Sequence, residues 1–119
     1  MIGIVDLNHN SIFIASKILY RDLVSFTIQN LKDFCGKENV YILSKNIEHE
    51  AKAFNFDVNF LNEVNLPHKF QTYDEILVLN GLNPVFNPLL VDWSVYENSI
   101  KLKDIQGNIF GLFKRNNKF

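Results

Sequence analysis

The spacing of short apolar runs is the feature of this chain that most constrains its fold. Such runs stand at residues 2–7, 39–44, 56–61 and 75–80, with amphipathic or polar stretches between them. Short apolar strands that alternate with helical stretches are typical of a parallel sheet in an α/β protein. We expect the strand from residue 2 inside the sheet, between those near 40 and 76, with ligands beyond the carboxyl ends of the strands.

The first helix is predicted by a three-to-four-residue apolar period. Within residues 20–35, Val24, Ile28 and Leu31 fall on one helical face. Gly36 follows where a left-handed C-terminal cap belongs. The pattern therefore predicts a helix that ends just before Gly36.

Two further helices and a hairpin are predicted from local signals. Ser44 or Asn46 can cap a second helix, and Pro88 can open a third one. Residues 100–115 alternate between polar and apolar side chains around Gly107, which suits a tight turn. We therefore expect an antiparallel β-hairpin at the end of the chain.

The length and composition predict one folded domain. The chain has 119 residues, of which 47% are hydrophobic and 21% charged. A protein of this size buries roughly two thirds of its extended surface, which is enough for one core. We see no repeat, linker or composition shift, so residues 1–119 are predicted to be a single domain. The shortness of that domain also fits a piece of a larger protein.

The charge balance argues against nucleic acid as a partner. The formal net charge is −1, from 12 basic and 13 acidic residues, so no overall pull toward a phosphate backbone exists. Basic residues gather near the end, at Lys114, Arg115 and Lys118. This small cluster favours a solvated terminus over an anion-binding tail.

The cysteine count and the hydropathy predict the compartment. Cys35 is the one cysteine, so neither an intrachain disulfide nor a cysteine-based zinc cluster can form. Asp6 interrupts the first apolar run, and no stretch reaches the roughly 20 apolar residues of a membrane span. A reducing, cytoplasmic location without membrane contact is the expectation.

Four patches of the chain carry a resemblance to a known family. In order they are "IVDLNHNSIFIASKIL", "LVSFTIQNLK", "NVYILSKNIEHEAKAFNFDV" and "LVLNGLNPVFNPLLVD". Their order and spacing resemble the nucleotidyltransferase fold of the cytidylyltransferases that activate sugars, in the group related to spore-coat polysaccharide proteins. The late hairpin is similar to one in sugar nucleotidyltransferases. The resemblance implies a three-layer, mostly parallel Rossmann-like sheet with a C-terminal β-hairpin.

The phosphate loop that this family uses is altered here. Relatives hold a triphosphate with glycine backbone amides and with cations. By the resemblance, Asn8 and Phe13 stand where the family has arginines, Asn10 where it has a glycine, and Lys17 matches a family cation. Lys17 can equally be an ordinary exposed lysine. The nucleotide-binding candidates that the resemblance implies are Asn8, Asn10, Ser11, Lys17 and Gly81.

The metal motif of the family is altered as well. Leu82 occupies the position of the metal-binding aspartate, and Asn87 that of a second acid. A divalent ion that bridges phosphates prefers carboxylate oxygens. If the chain were active with magnesium, the remaining candidate ligands would be Asp6 and Asp92.

Other reactive side chains give no recognisable site. His9, His49 and His68 are too scattered for a metal spacing. Cys35 stands near a helix end with no identifiable base, which favours a small buried apolar role. No residue is therefore assigned as catalytic.

A set of late aromatic residues has two interpretations. Either they offer an apolar surface to a partner protein or an adjoining domain, or they fill the core. The residues are Trp93, Tyr96, Phe110 and Phe113.

The function predicted from these features is a degraded nucleotidyltransferase-like domain that acts as a non-catalytic binding or assembly module without a cofactor. A protein partner or a nucleotide is the expected ligand. The alternative is an active cytidylyl or sugar-nucleotide transferase that uses magnesium, Lys17 and a displaced acid, Asp6 or Asp92. A generic Rossmann-like ligand domain would need a glycine-rich first turn, which "DLNHNS" does not supply.

Overall fold

The computed structural model shows a mixed α/β protein built around a six-stranded sheet. It describes residues 1–7, 17–43, 55–61, 68, 71–80 and 86–115. The strands are β1 (Ile2–Asp6), β2 (Val40–Leu43), β3 (Asn59–Leu61), β4 (Glu75–Asn80), β5 (Ile100–Lys103) and β6 (Ile109–Arg115). Helix α1 spans Lys17–Cys35, and single 3₁₀ turns span Lys37–Asn39, Pro88–Leu90 and Trp93–Val95.

Strand β1 lies inside the sheet, whose order is β3-β2-β1-β4-β6-β5. Gly3 is in register with Val40 of β2 and with Leu77 of β4, and both pairings are parallel. Strand β3 extends the parallel part beyond β2. The predicted place of the strand from residue 2, between those near 40 and 76, is confirmed.

The other end of the sheet is antiparallel. Strand β6 pairs antiparallel with β4, and β5 pairs antiparallel with β6. Between β5 and β6, the Asp104 carboxylate accepts hydrogen bonds from the backbone N–H groups of Gln106 and Asn108, each at 2.9 Å. Gly107 has a φ of 86°, which a residue without Cβ adopts at little cost. These bonds hold the chain reversal between the two strands.

The two faces of the sheet bury separate apolar clusters, because successive side chains of a strand point to opposite faces. One cluster joins strand residues to the apolar side of α1, and its members include Val5, Val24, Leu31, Ile42, Leu77 and Leu79. The other lies on the opposite face and contains Ile2, Ile4, Leu43, Leu61 and Ile76. Burial on both faces explains why β1, β2 and β4 read as nearly continuous apolar runs.

Helix α1 packs closely on β1 because of Gly3. A Cβ at this position would lie 3.1 Å from Cys35 Sγ and 3.1 Å from a methyl carbon of Leu31. The helix ends at Cys35, and Gly36 follows with a φ of 93°, close to the predicted boundary. In the part of the chain that the structure describes, no helix is long and apolar enough to cross a membrane.

The helix predicted from Pro88 is wrong. Pro88–Leu90 and Trp93–Val95 form single 3₁₀ turns, and extended backbone at Val91 separates them. The side chains of Asn87 and Asp92 each accept a hydrogen bond from the backbone N–H two residues later, so each of them caps the start of one turn. Pro88 therefore begins a helical turn, but the chain does not continue this turn into an α-helix.

The third strand begins later than predicted, and the predicted second helix cannot be compared with the structure. The third strand begins at Asn59 instead of residue 56, because the chain still turns at Asn55, whose φ is 58°. The helix predicted after Ser44 or Asn46 lies outside the described residues.

Candidate functional site

The carboxyl ends of the parallel strands form one edge of the sheet. Asp6, at the end of β1, is in register with Leu43 of β2 and with Asn80 of β4. The chain builds β2 and β3 on one side of β1 and then crosses to the other side to form β4. The direction of winding thus switches between β1 and β4, and open α/β sheets bind ligands at such a point.

Asp6 supplies an acidic residue to this edge. It is partly buried, and it is the acidic residue among the described ends of the four parallel strands. The next residue, Leu7, is fully buried, and its N–H donates to the Leu43 carbonyl at 2.9 Å. This bond continues the pairing of β1 with β2 past Asp6, so the backbone on both sides of Asp6 is fixed.

Several predicted site residues follow these strand ends in sequence. Residues 8–16 leave the end of β1, and residues 81–85 leave the end of β4. Lys17 is the first residue of α1. The remaining predictions at the phosphate loop, the metal motif and two histidines lie outside the described residues: Asn8, His9, Asn10, Ser11, Phe13, His49, Gly81 and Leu82.

Asp92 and Asn87 both cap 3₁₀ turns. Oδ1 of Asp92 accepts hydrogen bonds from the Ser94 hydroxyl at 2.5 Å and from the Ser94 N–H at 3.2 Å. These bonds lower the pKa of Asp92, with the side-chain bond as the larger cause. Oδ1 of Asn87 accepts from the Leu89 N–H at 3.0 Å. The Asp92 carboxylate therefore has a local structural task, and its role as a metal ligand stays a prediction.

The late aromatic residues pack against one another and against the core. Trp93 is 6% exposed, and its indole N–H donates to the Pro88 carbonyl at 2.9 Å. Its ring centroid lies 4.7 Å from that of Phe113, which is fully buried. Tyr96 and Phe110 are partly buried and pack on the same cluster. Of the two interpretations above, the structure favours the core.

Cys35 and His68 offer no nucleophile or metal site. Burial raises the pKa of the Cys35 thiol to about 11, so the thiol is protonated at neutral pH. His68 is exposed. Within the described ranges, His, Cys, Asp and Glu side chains form no group of three or more that could hold a metal ion.

Arg115 has a role that the basic cluster near the chain end did not predict. Its Nε and Nη2 donate to Oε2 of Glu75, at 3.2 and 2.8 Å. Its guanidinium also donates to the carbonyls of Trp93, at 2.8 Å, and of Tyr96. The expected solvated terminus is therefore wrong for this residue. The partners are 19 to 40 residues away in sequence, so no local pattern could have shown them.

A polar groove beside α1 was also missed. It has a volume of about 180 Å³ and lies between the exposed side of the helix and residues 55–57. Arg21 and Lys32 contribute cations, with Ser25 and Gln29 between them. The spacing of these four residues on one helical face was the available signal.

We compared the chain with protein-family profiles, with curated proteins and with solved structures, and none of them matched. The likeness to nucleotidyltransferases therefore rests on the sequence patches and stays a prediction. The structure adds one observation: Asp6 and Asn80 are in register at the carboxyl ends of β1 and β4, where the direction of winding of the sheet reverses.

Proposed function

We propose that this chain is a degraded nucleotidyltransferase-like domain that binds a ligand at the carboxyl edge of its sheet without catalysing group transfer. The observation that carries the proposal is the switch point between β1 and β4, where Asp6 stands in register with Asn80. A crevice outside the strand ends at such a point is the usual ligand position in open α/β sheets.

The finer fold type is part of the same proposal. A three-layer, Rossmann-like sheet of nucleotidyltransferase type has its first strand in the interior and ends in a β-hairpin. The parallel order β3-β2-β1-β4 and the antiparallel pairing of β5 with β6 support that type. Apolar clusters on both faces of the sheet support it further, since each face needs a covering layer.

The absence of catalysis follows from the charges that the transfer reaction requires. A triphosphate needs cations and a carboxylate-bound metal ion to offset the charge that develops during transfer. The sequence has Asn8, Phe13 and Leu82 where the family has two arginines and an aspartate. Asp92, one of the two remaining candidate magnesium ligands, is hydrogen-bonded to Ser94. Asp6 alone cannot replace this set.

The residues left at this edge suit a neutral polar ligand better than a triphosphate. Asn80 ends β4, Asn8 and Asn10 follow β1 in sequence, and the amide of each can donate and accept hydrogen bonds. Such groups, with the Asp6 carboxylate as an acceptor, match the hydroxyls of a sugar or the edge of a base. We therefore propose that a nucleoside, or a nucleotide held through its sugar and base, binds at this edge.

A cytoplasmic location, with Cys35 kept as a thiol, belongs to the proposal.

Thermal unfolding with a panel of nucleosides and nucleoside triphosphates, each with and without magnesium, tests the proposal. Ligands that bind the folded state raise the midpoint, and we expect this rise without a need for magnesium. Asp6→Asn should reduce the rise. Glu38→Gln, which removes one exposed carboxylate before β2 at the opposite edge, should not. If no compound raises the midpoint of the wild-type protein, the binding module is refuted.

The second candidate function is an active magnesium-dependent transferase, and the position of Asp6 at the switch point favours it. In that case Asp6 would hold the metal ion and Lys17 would face the phosphates. The test is pyrophosphate release from CTP with a sugar or alcohol phosphate as acceptor. A magnesium-dependent rate that both Asp6→Asn and Lys17→Ala abolish would establish this candidate and overturn the non-catalytic one.

A further inference from the structure

A concave feature lies beside helix α1. The groove is formed by the exposed side of the helix and by residues 55–57, and it has a volume of about 180 Å³. Arg21 and Lys32 are eleven positions apart, about three helical turns at 3.6 residues per turn, so both lie on the side that faces the groove.

Lys32 is held inside this groove. Its side chain is 12% exposed, which is low for a lysine on a helix surface. Its Nζ lies 3.8 Å from Oδ2 of Asp57, whose side chain is fully exposed. A loose ion pair with a carboxylate in water contributes little, so a better-placed anion can displace Asp57. The Lys32 side chain is thus largely shielded from water, whereas its carboxylate partner is fully exposed to water.

The rest of the groove complements an anion. Ser25 and Gln29 lie between the two cations and carry a hydroxyl and an amide. Nε2 of Gln29 donates to Oδ1 of Asp33 at 2.9 Å, which ties the amide to the helix. Asn55 adds a second amide from the turn opposite, where its φ of 58° is one that asparagine tolerates. The net charge of the whole chain is −1, so this pair of cations does not reflect a basic protein.

From this geometry we propose that the α1 groove is a binding site for a small oxyanion, a phosphate or carboxylate group, with Lys32 and Arg21 as its cations. Lys32 supplies a point charge at the deep end. Arg21, which is exposed and lines the other end of the groove, adds a second positive charge that attracts the anion. Asp57 is the residue that the incoming anion replaces. The site is independent of the function proposed for the carboxyl edge.

The test is an NMR titration of ¹⁵N-labelled protein with inorganic phosphate, at constant ionic strength kept with chloride. We expect saturable shifts of backbone amides between Arg21 and Lys32 and at residues 55–57. A parallel titration with succinate distinguishes the two chemical sources, because the better ligand saturates the same amides at lower concentration. Shifts that rise linearly without saturation for both anions, or that fall elsewhere, would overturn the proposal.

Variants separate a built site from general charge attraction. Lys32→Gln should weaken binding about tenfold, since a charge-assisted hydrogen bond is lost, and Arg21→Gln should weaken it about threefold, since an attracting charge at the other end of the groove is lost. Lys37→Gln, which removes an exposed cation outside the groove, should leave the affinity unchanged. Asp57→Asn should tighten binding, because the competing carboxylate is gone. Equal affinities for Arg21→Gln and Lys37→Gln would refute the site even if Lys32→Gln did not fold.

Discussion

At the scale of single residues, Gly111 shows how close β6 lies to its neighbours. A Cβ at this position would stand 2.7 Å from the Val78 carbonyl oxygen and 3.1 Å from side-chain carbons of Leu79 and Leu102. A backbone oxygen cannot turn aside as a flexible side chain can. We therefore expect Gly111→Ala to lower the free energy of unfolding by about 1–3 kcal/mol, the usual cost of overpacking, in urea denaturation.

Gly107 provides the control for this prediction. Nothing lies within 4 Å of a Cβ at this position, but the φ of 86° favours glycine. Gly107→Asn should be tolerated better than Gly107→Ala, because asparagine enters left-handed conformations more readily. At Gly111 the larger asparagine should be worse than alanine. A Gly111→Ala protein as stable as the wild type would contradict the close approach of β6 to β4.

Cys35 gives a second prediction at this scale. Burial raises the pKa of its thiol from 9.0 to about 11, so the thiolate at pH 8 should be about 100-fold scarcer than in an ordinary cysteine. We expect alkylation of the native protein by iodoacetamide to be slower by a comparable factor than in urea. Rapid native alkylation would show that the thiol is not desolvated.

The same raised pKa affects stability at high pH. The folded protein binds the thiol proton more tightly than the unfolded chain, so this contribution is complete below about pH 9 and is lost as the pH rises through about 11. The difference in unfolding free energy between the wild type and Cys35→Ala should therefore shrink across that interval. A difference that does not depend on pH would contradict the assigned pKa.

At the scale of elements, Arg115 links β6 to β4 and to the 3₁₀ turn at Trp93–Val95. Its guanidinium pairs with Glu75, directly opposite in the β4–β6 register, and donates to the carbonyls of Trp93 and Tyr96. A lysine cannot reach all of these acceptors at once. We expect Arg115→Lys to cost about 1–3 kcal/mol in urea denaturation, because partly buried carbonyls lose their donors.

Glu75→Gln separates the ion pair from the carbonyl contacts. The Glu75 side chain is 33% exposed, so water screens the pair and its loss should cost less than about 1 kcal/mol. Lys101→Gln, on the exposed side of the edge strand β5, controls for a change in net charge and should be near neutral. If Glu75→Gln cost as much as Arg115→Lys, the carbonyl contacts would not carry the stabilisation.

Elements were predictable where their signals are local. The apolar runs at β1, β2 and β4 exist because both faces of the sheet are buried, and burial of this kind is visible in sequence. The helix expected from Pro88 failed because the backbone returns to an extended conformation at Val91 and at Tyr96, after one turn each, while Asn87 and Asp92 cap the starts of these two turns. The order of the four parallel strands also followed from the sequence, but the pairing of β6 with β4 did not. The groove at Lys32 could not be predicted either, because residues 55–57, distant in sequence, form its other side.

At the scale of the whole molecule, the position of each strand in the sheet sets how often its hydrogen bonds open. β1 is paired on both sides, with β2 and β4, and Ile2, Ile4 and Val5 are fully buried. Within the part of the chain that the structure describes, the outer strands β3 and β5 each pair on one side, with β2 and β6 respectively. Backbone N–H groups of a central strand exchange through larger openings than those of an edge strand.

We therefore expect native-state hydrogen exchange to rank the strands by position. Amides of Ile4 and Val5 in β1 should be among the slowest to exchange. The free energies of the openings through which they exchange should approach the free energy of global unfolding. Amides of β5, at Lys101 and Lys103, should exchange faster through local opening, since this strand lies at an edge of the sheet and exposes both lysines. Mass spectrometry of peptides that cover residues 1–7 and 100–103 measures the contrast. Protection in β5 equal to that in β1 would mean that the β5 edge is covered in solution, either by a second copy of the chain or by a different strand order.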